Sequence, residues 1–344
     1  MARRTRSTLL GRSLQRSLRA ITRSAVRAGS KAMVQALQPR PAKPAKKSSP
    51  TRSRFATGVR SSTGITVGIA GAQRYRLFVP PGVQRTERLP LLVMLHGCGQ
   101  SAEALAASTR MNQLALREHF VVLYPEQNTL ANLQGCWNWH QTRTGQAQRE
   151  ADAVNATISQ VCQLTTIDAT RIALVGLSAG ASMAALLATR HPERFRAIAM
   201  HSGIAPGMAH SSASALTAMQ GRGLVAPLAP LSACTHLPAL LVIQGSADRL
   251  VAPSNGHKAA QLWATREAAK AGLPRTVQRG ARYPTTVTDY KTKGRLVATL
   301  CDIKGLGHAW SGGAANQAYS DPKGPDASRM IWSFAVKQFA KLAA

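Results

Sequence analysis

The sequence predicts an α/β protein in which a mostly parallel sheet carries helices on both faces. Several short runs of apolar residues have the length and composition of buried strands, and they end in loops that contain glycine. One run, residues 172–175 (IALV), leads through a glycine-containing turn into strong helix formers at residues 181–188. The chain has 344 residues and is 44% hydrophobic, which is enough for one large core.

The turn after this strand, residues 176–180 (GLSAG), has the pattern G-x-S-x-G. Small residues at both ends let the strand reverse sharply into the helix. The reversal lifts the hydroxyl of Ser178 above the sheet, where a base can reach it. The pattern is also common in ordinary βα turns, so by itself it leaves both a catalytic and a purely structural serine open.

A nucleophilic serine needs a histidine to take its proton and a carboxylate to orient that histidine; in α/β-hydrolases the acid and then the histidine follow the serine. Asp248 comes just after the apolar run 240–243, although most loop aspartates are surface turn residues. His308 follows the strand-like run 296–300, with glycines on both sides that allow a close approach. The sequence therefore predicts a triad of Ser178, Asp248 and His308.

The transition state of such a reaction also needs backbone donors for the developing oxyanion. The apolar run 91–95 ends in residues 96–100 (HGCGQ), and a His-Gly loop after the third strand supplies one donor in α/β-hydrolases. The residue after the nucleophile supplies the other. The predicted donors are the amides of Cys98, or else Gly97, and of Ala179. The His-Gly loop, the serine turn, Asp248 and His308 follow one another in this order along the chain, each at the end of a predicted strand. Together they predict an α/β-hydrolase fold.

His201 follows another predicted strand, residues 197–200. It is a candidate for supporting the site, and a purely structural role is the alternative.

Seven segments between residues 70 and 335 resemble the esterases related to poly(3-hydroxybutyrate) depolymerases, whose relatives include feruloyl and acetylxylan esterases. These segments are 95–98 (LHGC), 124–127 (YPEQ), 135–139 (GCWNW), 176–180 (GLSAG), 253–256 (PSNG), 307–313 (GHAWSGG) and 324–328 (GPDAS). The segments GCWNW and GHAWSGG are far more specific than GLSAG. The resemblance implies the same triad, no cofactor and an ester substrate, with poly(3-hydroxybutyrate) or its oligomers favoured.

The resemblance also makes Trp137, Trp139 and Trp310 candidates for an apolar substrate groove, with core packing as the competing interpretation. Gln244 stands where the family more usually has histidine, and we expect this difference to leave the chemistry alone. His140 stands where an aromatic residue is common, and we expect this difference to bear on substrate fit.

Five cysteines are too few for a disulfide scaffold. Cys98 and Cys136 both fall in segments that should border the site. A bridge between them would pin residues 96–100, here called the oxyanion loop, to the loop of Trp137 and Trp139. Two free thiols are the alternative, and the compartment decides between them. The spacings of cysteine and histidine fit no zinc-binding pattern, so no metal is expected.

Residues 1–58 are predicted to form a basic extension with a Pro/Lys-rich linker, and residues 59–344 the catalytic domain. The net charge is +30, and residues 1–60 hold 16 lysines and arginines and no acidic residue. Apolar and basic side chains recur there at helical spacing on opposite faces: Leu10, Leu14, Leu18 and Ile21 against Arg12, Arg16, Arg19, Arg23 and Arg27. This pattern predicts either an amphipathic helix that binds an anionic surface or polymer granule, or a solvated, disordered tail.

No apolar stretch has the length of a secretory signal core or of a membrane span, which favours a cytoplasmic or granule-associated protein. An extracellular location, as for many members of the resembling family, is the alternative. Three functions stay open: hydrolysis of poly(3-hydroxybutyrate) or its oligomers, hydrolysis of feruloylated or acetylated polysaccharide, and binding of granules or nucleic acid through the basic tail. The complete triad argues against the third function, so no nucleic-acid partner is expected.

Overall fold

The computed structural model describes residues 64–164, 166–223, 225 and 236–342. Its strands are β1 (Ile65–Ala70), β2 (Gln73–Phe78), β3 (Leu89–Leu95), β4 (Val121–Glu126), β5 (Ile167–Leu177), β6 (Ala197–His201), β7 (Ala239–Gly245), β8 (Lys270–Ala271), β9 (Arg275–Val277), β10 (Thr285–Thr292), β11 (Arg295–Ile303), β12 (Trp310–Ser311) and β13 (Ser320–Asp321). Its α-helices are α1 (Ala102–Thr109), α2 (Met111–Glu118), α3 (Gln146–Leu164), α4 (Ala179–Arg190), α5 (Ser212–Met219), α6 (Ser254–Arg266) and α7 (Ala327–Phe339), with short 3₁₀ turns at Pro192–Arg194 and Ala340–Leu342.

The central sheet has the strand order β1-β2-β4-β3-β5-β6-β7-β11-β10-β8, with β9 paired to β10. The six strands from β4 to β11 in this order are mutually parallel, and antiparallel strands flank them on both sides. The prediction of a mostly parallel sheet is therefore confirmed. Parallel strands bring their carboxyl ends to one edge, and the loops that leave this edge carry the candidate site residues.

Helices pack on both faces of the sheet, as β7 illustrates. Leu241 and Ile243 belong to a core cluster that includes Trp332 of α7. Val242, between them, points to the other face, where Gly256 of α6 lies against it. This alternation follows from the period of two in a β-strand. Strands buried on both faces must be apolar throughout, which explains the continuous apolar runs in the sequence.

The basic amphipathic pattern of residues 10–27 and the predicted domain boundary between residues 58 and 59 lie outside the described residues, and both stay predictions. Within the part of the chain that the structure describes, no helix combines the length and the apolar character needed to cross a membrane.

Candidate active site

Ser178 lies in a strained turn between β5 and α4, with φ 56° and ψ −119°. Residues other than glycine rarely adopt this conformation, and such strain is typical of functional positions. The two flanking glycines are required by space. A Cβ atom on Gly176 would overlap the carbonyl group of Gly180, and one on Gly180 would overlap the carbonyl oxygens of Leu95 and His96. The turn therefore has the sharp geometry that the sequence pattern predicts.

The strand register brings Ser178 and Asp248 to the same edge of the sheet. Leu177 pairs with His201, and His201 pairs with Ile243. The amide of Ser178 continues this ladder by donating to the carbonyl of His201 at 2.9 Å. Since neighbouring strands are about 4.8 Å apart, the ends of β5 and β7 are roughly 10 Å apart. A histidine side chain between the two loops can span this separation.

Asp248 and His308 are joined directly, with 2.8 Å between Oδ2 of Asp248 and Nδ1 of His308. The aspartate side chain is fully buried, and its Oδ1 accepts hydrogen bonds from the amides of Leu250 at 2.9 Å and Val251 at 2.8 Å. Burial disfavours the charged carboxylate, but the hydrogen bonds from His308 and from these amides outweigh it and lower the pKa of Asp248. The charged carboxylate keeps the proton on Nδ1 of His308, so Nε2 is the nitrogen that can accept another proton.

Three hydrogen bonds hold the loop of Asp248 against the loop of His308. The amide of Ser246 donates to the carbonyl of Ile303 at 2.9 Å, and its hydroxyl accepts from the amide of Gly305 at 2.9 Å. The amide of Ala247 donates to the carbonyl of Leu306 at 3.0 Å. These bonds hold the two loops together, although Asp248 and His308 are 60 residues apart in the sequence.

His201 supports the loop that carries His308. Its Nε2 accepts a hydrogen bond from the amide of Ser311 at 3.1 Å, and its ring stacks on Trp310 with 5.1 Å between centroids. Burial, together with repulsion from His308, lowers the pKa of His201 to about 3, so the ring is neutral. Of the two roles left open by the sequence, the structure favours support of the site.

His96 connects the end of β3 to the end of β4, a role that sequence reasoning missed. Its Nε2 accepts from the amide of Gln127 at 3.1 Å, and its Nδ1 lies 2.9 Å from the carbonyl oxygen of Gly97. Burial lowers the pKa of His96 to about 4, so this ring is also neutral. The available signal was that His96 and Gln127 both fall in segments shared with the resembling family.

The oxyanion loop leaves one of its two candidate donors available. The amide of Gly97 already donates to Oε1 of Gln100 at 3.0 Å. Among the hydrogen bonds of the described residues, the amides of Cys98 and Ala179 have no acceptor. The loop also lies against the serine, since a Cβ atom on Gly97 would be 3.5 Å from Cβ of Ser178. Of the alternatives Cys98 and Gly97, the structure favours Cys98, paired with Ala179.

Cys98 and Cys136 form a disulfide, one of the two states that the sequence left open. The bridge attaches the oxyanion loop to the loop between β4 and α3. A second link runs beside it, since the amide of Gly99 donates to the carbonyl of Gln134 at 3.0 Å. The position of the Cys98 amide is therefore fixed from two directions.

The structure corrects the predicted role of two of the three tryptophans. Trp137 and Trp310 have no exposed surface. The ring of Trp137 lies 5.6 Å from that of His96, and the indole nitrogen of Trp310 donates to Ser328 at 3.1 Å. Both side chains pack in the interior and cannot line an open groove. Trp139 is half-buried and remains the candidate for substrate contact.

Gln244 lies closer to the site than the sequence comparison suggested. The side chain is fully buried, and its Nε2 is 3.3 Å from Oδ2 of Asp248 and 3.3 Å from the carbonyl oxygen of Val251. Oδ2 is the same oxygen that accepts from His308. Gln244 thus contacts the carboxylate itself, and the expectation that its difference from histidine leaves the chemistry alone stays a prediction.

Asp302 is the other acidic residue close to His308 in sequence, but it faces another partner. Its Oδ2 lies 2.8 Å from Nε2 of His257, and this hydrogen bond raises the pKa of His257. His257 is largely exposed. Asp302 thus pairs with His257 and not with His308. Among the described residues, no group of three or more histidine, cysteine, aspartate or glutamate side chains could hold a metal ion.

Removing the disulfide is expected to destabilise the fold. The bridge joins residues 38 apart, and closing a loop of that length contributes about 4 kcal/mol in the chain-entropy account. We expect Cys98→Ser/Cys136→Ser to lower the free energy of unfolding by roughly 2–4 kcal/mol in urea titrations. Cys162→Ser, which removes a free thiol, is the matched control. An unchanged urea midpoint in the double variant would contradict a stabilising bridge.

Comparison with known proteins agrees with this architecture. The acetyl xylan esterase from Aspergillus awamori superimposes with a TM-score of 0.56 at 20% sequence identity, covering 69% of this chain and 89% of that one. At this identity the likeness shows the fold alone, which is the predicted α/β-hydrolase fold.

Curated relatives match parts of the sequence. Poly(3-hydroxyalkanoate) depolymerase C of Paucimonas lemoignei is 32% identical over 52% of this chain and 45% of its own length. Feruloyl esterase B of Neurospora crassa is 26% identical over 50% of this chain and 63% of its own length, and acetylxylan esterase A of Emericella nidulans is 26% identical over 55% and 66%. The chain thus spans about half to two thirds of the length of these relatives. The family model described as esterase PHB depolymerase matches residues 73–268, more than half of the 344 residues, and the chain belongs to this family.

Proposed function

We propose that this protein is a serine carboxylic-ester hydrolase that cleaves poly(3-hydroxybutyrate) or its oligomers through an acyl-enzyme. One arrangement carries the proposal. The strained Ser178 stands at the same sheet edge as the hydrogen-bonded pair of Asp248 and His308, next to the unoccupied amides of Cys98 and Ala179. A nucleophile, an oriented base and two oxyanion donors together are what acyl transfer requires.

In the first half of the reaction, Oγ of Ser178 attacks the ester carbonyl while Nε2 of His308 takes the hydroxyl proton. The charged Asp248 stabilises the resulting imidazolium through Nδ1. The carbonyl oxygen becomes an oxyanion, which accepts hydrogen bonds from the amides of Cys98 and Ala179. The tetrahedral intermediate then breaks its bond to the alkoxy oxygen. His308 gives its proton to that oxygen, and the alcohol leaves.

In the second half, water attacks the acyl carbon of the ester formed with Ser178. His308 accepts a proton from this water as it attacks, and returns it to Oγ of Ser178 when the acyl–enzyme bond breaks. The products are one carboxylic acid and the free serine. The rings of His96 and His201 accept hydrogen bonds from the backbone amides of Gln127 and Ser311, and so support the loops around the reacting groups.

Two candidate substrate classes are supported by the relatives. The poly(3-hydroxyalkanoate) depolymerase matches at 32% identity, against 26% for the feruloyl and acetylxylan esterases, and this difference favours the polyester. Esters of acetylated or feruloylated polysaccharide are the second candidate. Turnover of hydroxybutyrate polymer, hydroxybutyrate oligomers, methyl ferulate and acetylated xylan by the purified chain tests both. Activity on the two polysaccharide-type esters alone would overturn the polyester assignment.

We also propose that the basic residues 1–55 hold the protein on a polymer granule or an anionic surface. No candidate catalytic residue lies there, so a chain without these residues should turn over a soluble ester at the full rate. Its binding to granules or anionic vesicles should weaken at low salt, and the difference should shrink as salt screens the charges. Co-sedimentation of both forms across a salt series measures this. Equal binding of the two forms at low salt would leave the basic residues without this role.

We also propose that the protein is located in an oxidising compartment. The disulfide between Cys98 and Cys136 supports an oxidising location, because bridges of this kind persist outside the reducing cytosol. This favours the extracellular alternative over the cytoplasmic one. Fractionation of cells that produce the protein, followed by thiol labelling, tests it. A reduced protein found in the cytosolic fraction would contradict it.

A further inference from the structure

Two leucines stand in water on the loop that follows β4. Leu130 is 90% exposed and Leu133 is 92% exposed. Single exposed leucines are common on protein surfaces, but these two are three residues apart on one loop. The exposed residues around them, 128–131 and 133–134, carry no charge. The loop therefore presents two exposed leucines on an uncharged surface, in a chain whose net charge is +30.

The fold holds this loop in its shape. The side chain of Asn128 accepts from the amide of Leu130 at 2.9 Å, and that of Asn132 accepts from the amide of Gln134 at 3.0 Å. The side-chain nitrogen Nδ2 of Asn132 also donates to Oδ1 of Asn138 at 3.0 Å. These bonds hold the loop in the conformation in which both leucines are exposed.

The same loop is attached to the candidate oxyanion site. Gln134 accepts a hydrogen bond from the amide of Gly99, and Cys136 is bridged to Cys98. On its far side the loop leads into the half-buried Trp139. The exposed leucines are thus connected by a hydrogen bond and a disulfide to the loop that carries the candidate oxyanion donor Cys98.

We infer that residues 128–134 form an adsorption surface for a solid, uncharged polyester. The inference rests on the proposed function and identifies the physical state of its substrate. Transfer of leucine side chains from water to an apolar surface is favourable, and no charge in this loop has to be desolvated. An anionic surface is not favoured, because residues 127–142 contain no lysine or arginine. Within this segment, burial lowers the pKa of His140, which keeps that ring neutral.

Adsorption to poly(3-hydroxybutyrate) particles tests this inference directly. The full chain carries Ser178→Ala in every sample, so that the polymer is not digested during the measurement. Isotherms are recorded at about 0.5 M salt, where charge interactions of the basic residues are screened within a few ångströms. Leu130→Ser/Leu133→Ser is compared with Leu273→Ser, a residue 92% exposed between β8 and β9, at the other end of the sheet.

The double variant is expected to adsorb about tenfold more weakly, and the Leu273→Ser control to adsorb as the parent does. Equal adsorption of the double variant and the parent would overturn the inference. A change from dimer to monomer in the double variant, measured by sedimentation, would also overturn it, because the leucines would then cover a second copy of the chain.

Turnover of a dissolved monomeric ester, measured in chains that keep Ser178, separates this inference from the proposed function. If the unmodified chain hydrolyses no ester, the proposed function fails whatever the adsorption result. If it does hydrolyse the ester, the fall in adsorption of the double variant should exceed any fall in its soluble turnover by about tenfold. Equal falls in both would place the leucines in the site itself and overturn an adsorption role.

Discussion

Replacing Ser178 by alanine is expected to lower turnover of a soluble ester by about 10⁴-fold or more, because no other group in the site can form the acyl-enzyme. The fold should persist, since alanine occupies the same strained backbone as serine, with φ 56°. Steady-state hydrolysis of a chromogenic butyrate ester by both proteins, at equal concentration, gives the ratio.

A second variant separates loss of the nucleophile from loss of structure. Ser178→Gly removes the same hydroxyl but relieves the strained backbone, so it should be as inactive as Ser178→Ala and more stable by about 1 kcal/mol. Thermal unfolding of the three proteins checks this order. If either variant kept more than a few per cent of the activity, Ser178 would not be the nucleophile.

The second large effect is expected at Asp248. Asp248→Asn should reduce turnover about 10³- to 10⁴-fold, since His308 loses the carboxylate that holds its tautomer and stabilises its charged form. The lowered pKa of Asp248 also predicts a pH dependence. The stabilisation from this carboxylate is fully present above the ordinary aspartate pKa, and is lost as the pH falls through the lowered folded-state value.

Asp302→Asn is the matched control, because this carboxylate pairs with His257 on the surface. Its activity should stay within a few-fold of the parent, since the hydrogen bond of Asp302 goes to His257 and not to a residue of the candidate triad. Kinetics of both variants over a pH series make the comparison. A larger loss in Asp302→Asn than in Asp248→Asn would mean that the acid of the triad has been misassigned.

The parts that sequence reasoning predicted depend on local patterns and on the geometry of parallel sheets. The turn around Ser178 is recognisable because only glycine fits on either side of it. A Cβ atom at these two positions would overlap the carbonyl groups of Gly180, Leu95 and His96. Asp248 and His308 were predicted from their places after apolar runs, since parallel strands bring such loops to one edge. The structure then shows the two side chains hydrogen bonded.

Other features depend on contacts that no sequence pattern specifies. The choice of Cys98 over Gly97 as donor rests on the side chain of Gln100, which occupies the amide of Gly97. No pattern in residues 96–100 distinguishes this hydrogen bond from an open amide. The burial of Trp137 and Trp310 likewise depends on which elements pack over them, because an aromatic residue suits a core as well as a groove.

The sequence by itself thus determined the fold class, the family and the candidate triad of Ser178, Asp248 and His308, because backbone sterics and apolar periodicity are encoded locally. Only the tertiary structure decided which groups support the candidate site around the triad. His96 and His201 each accept a hydrogen bond from an amide 31 or 110 residues away, and Gln244 reaches the carboxylate across a loop. The two histidine contacts arise when separate strands meet, and no local pattern specifies any of these partners.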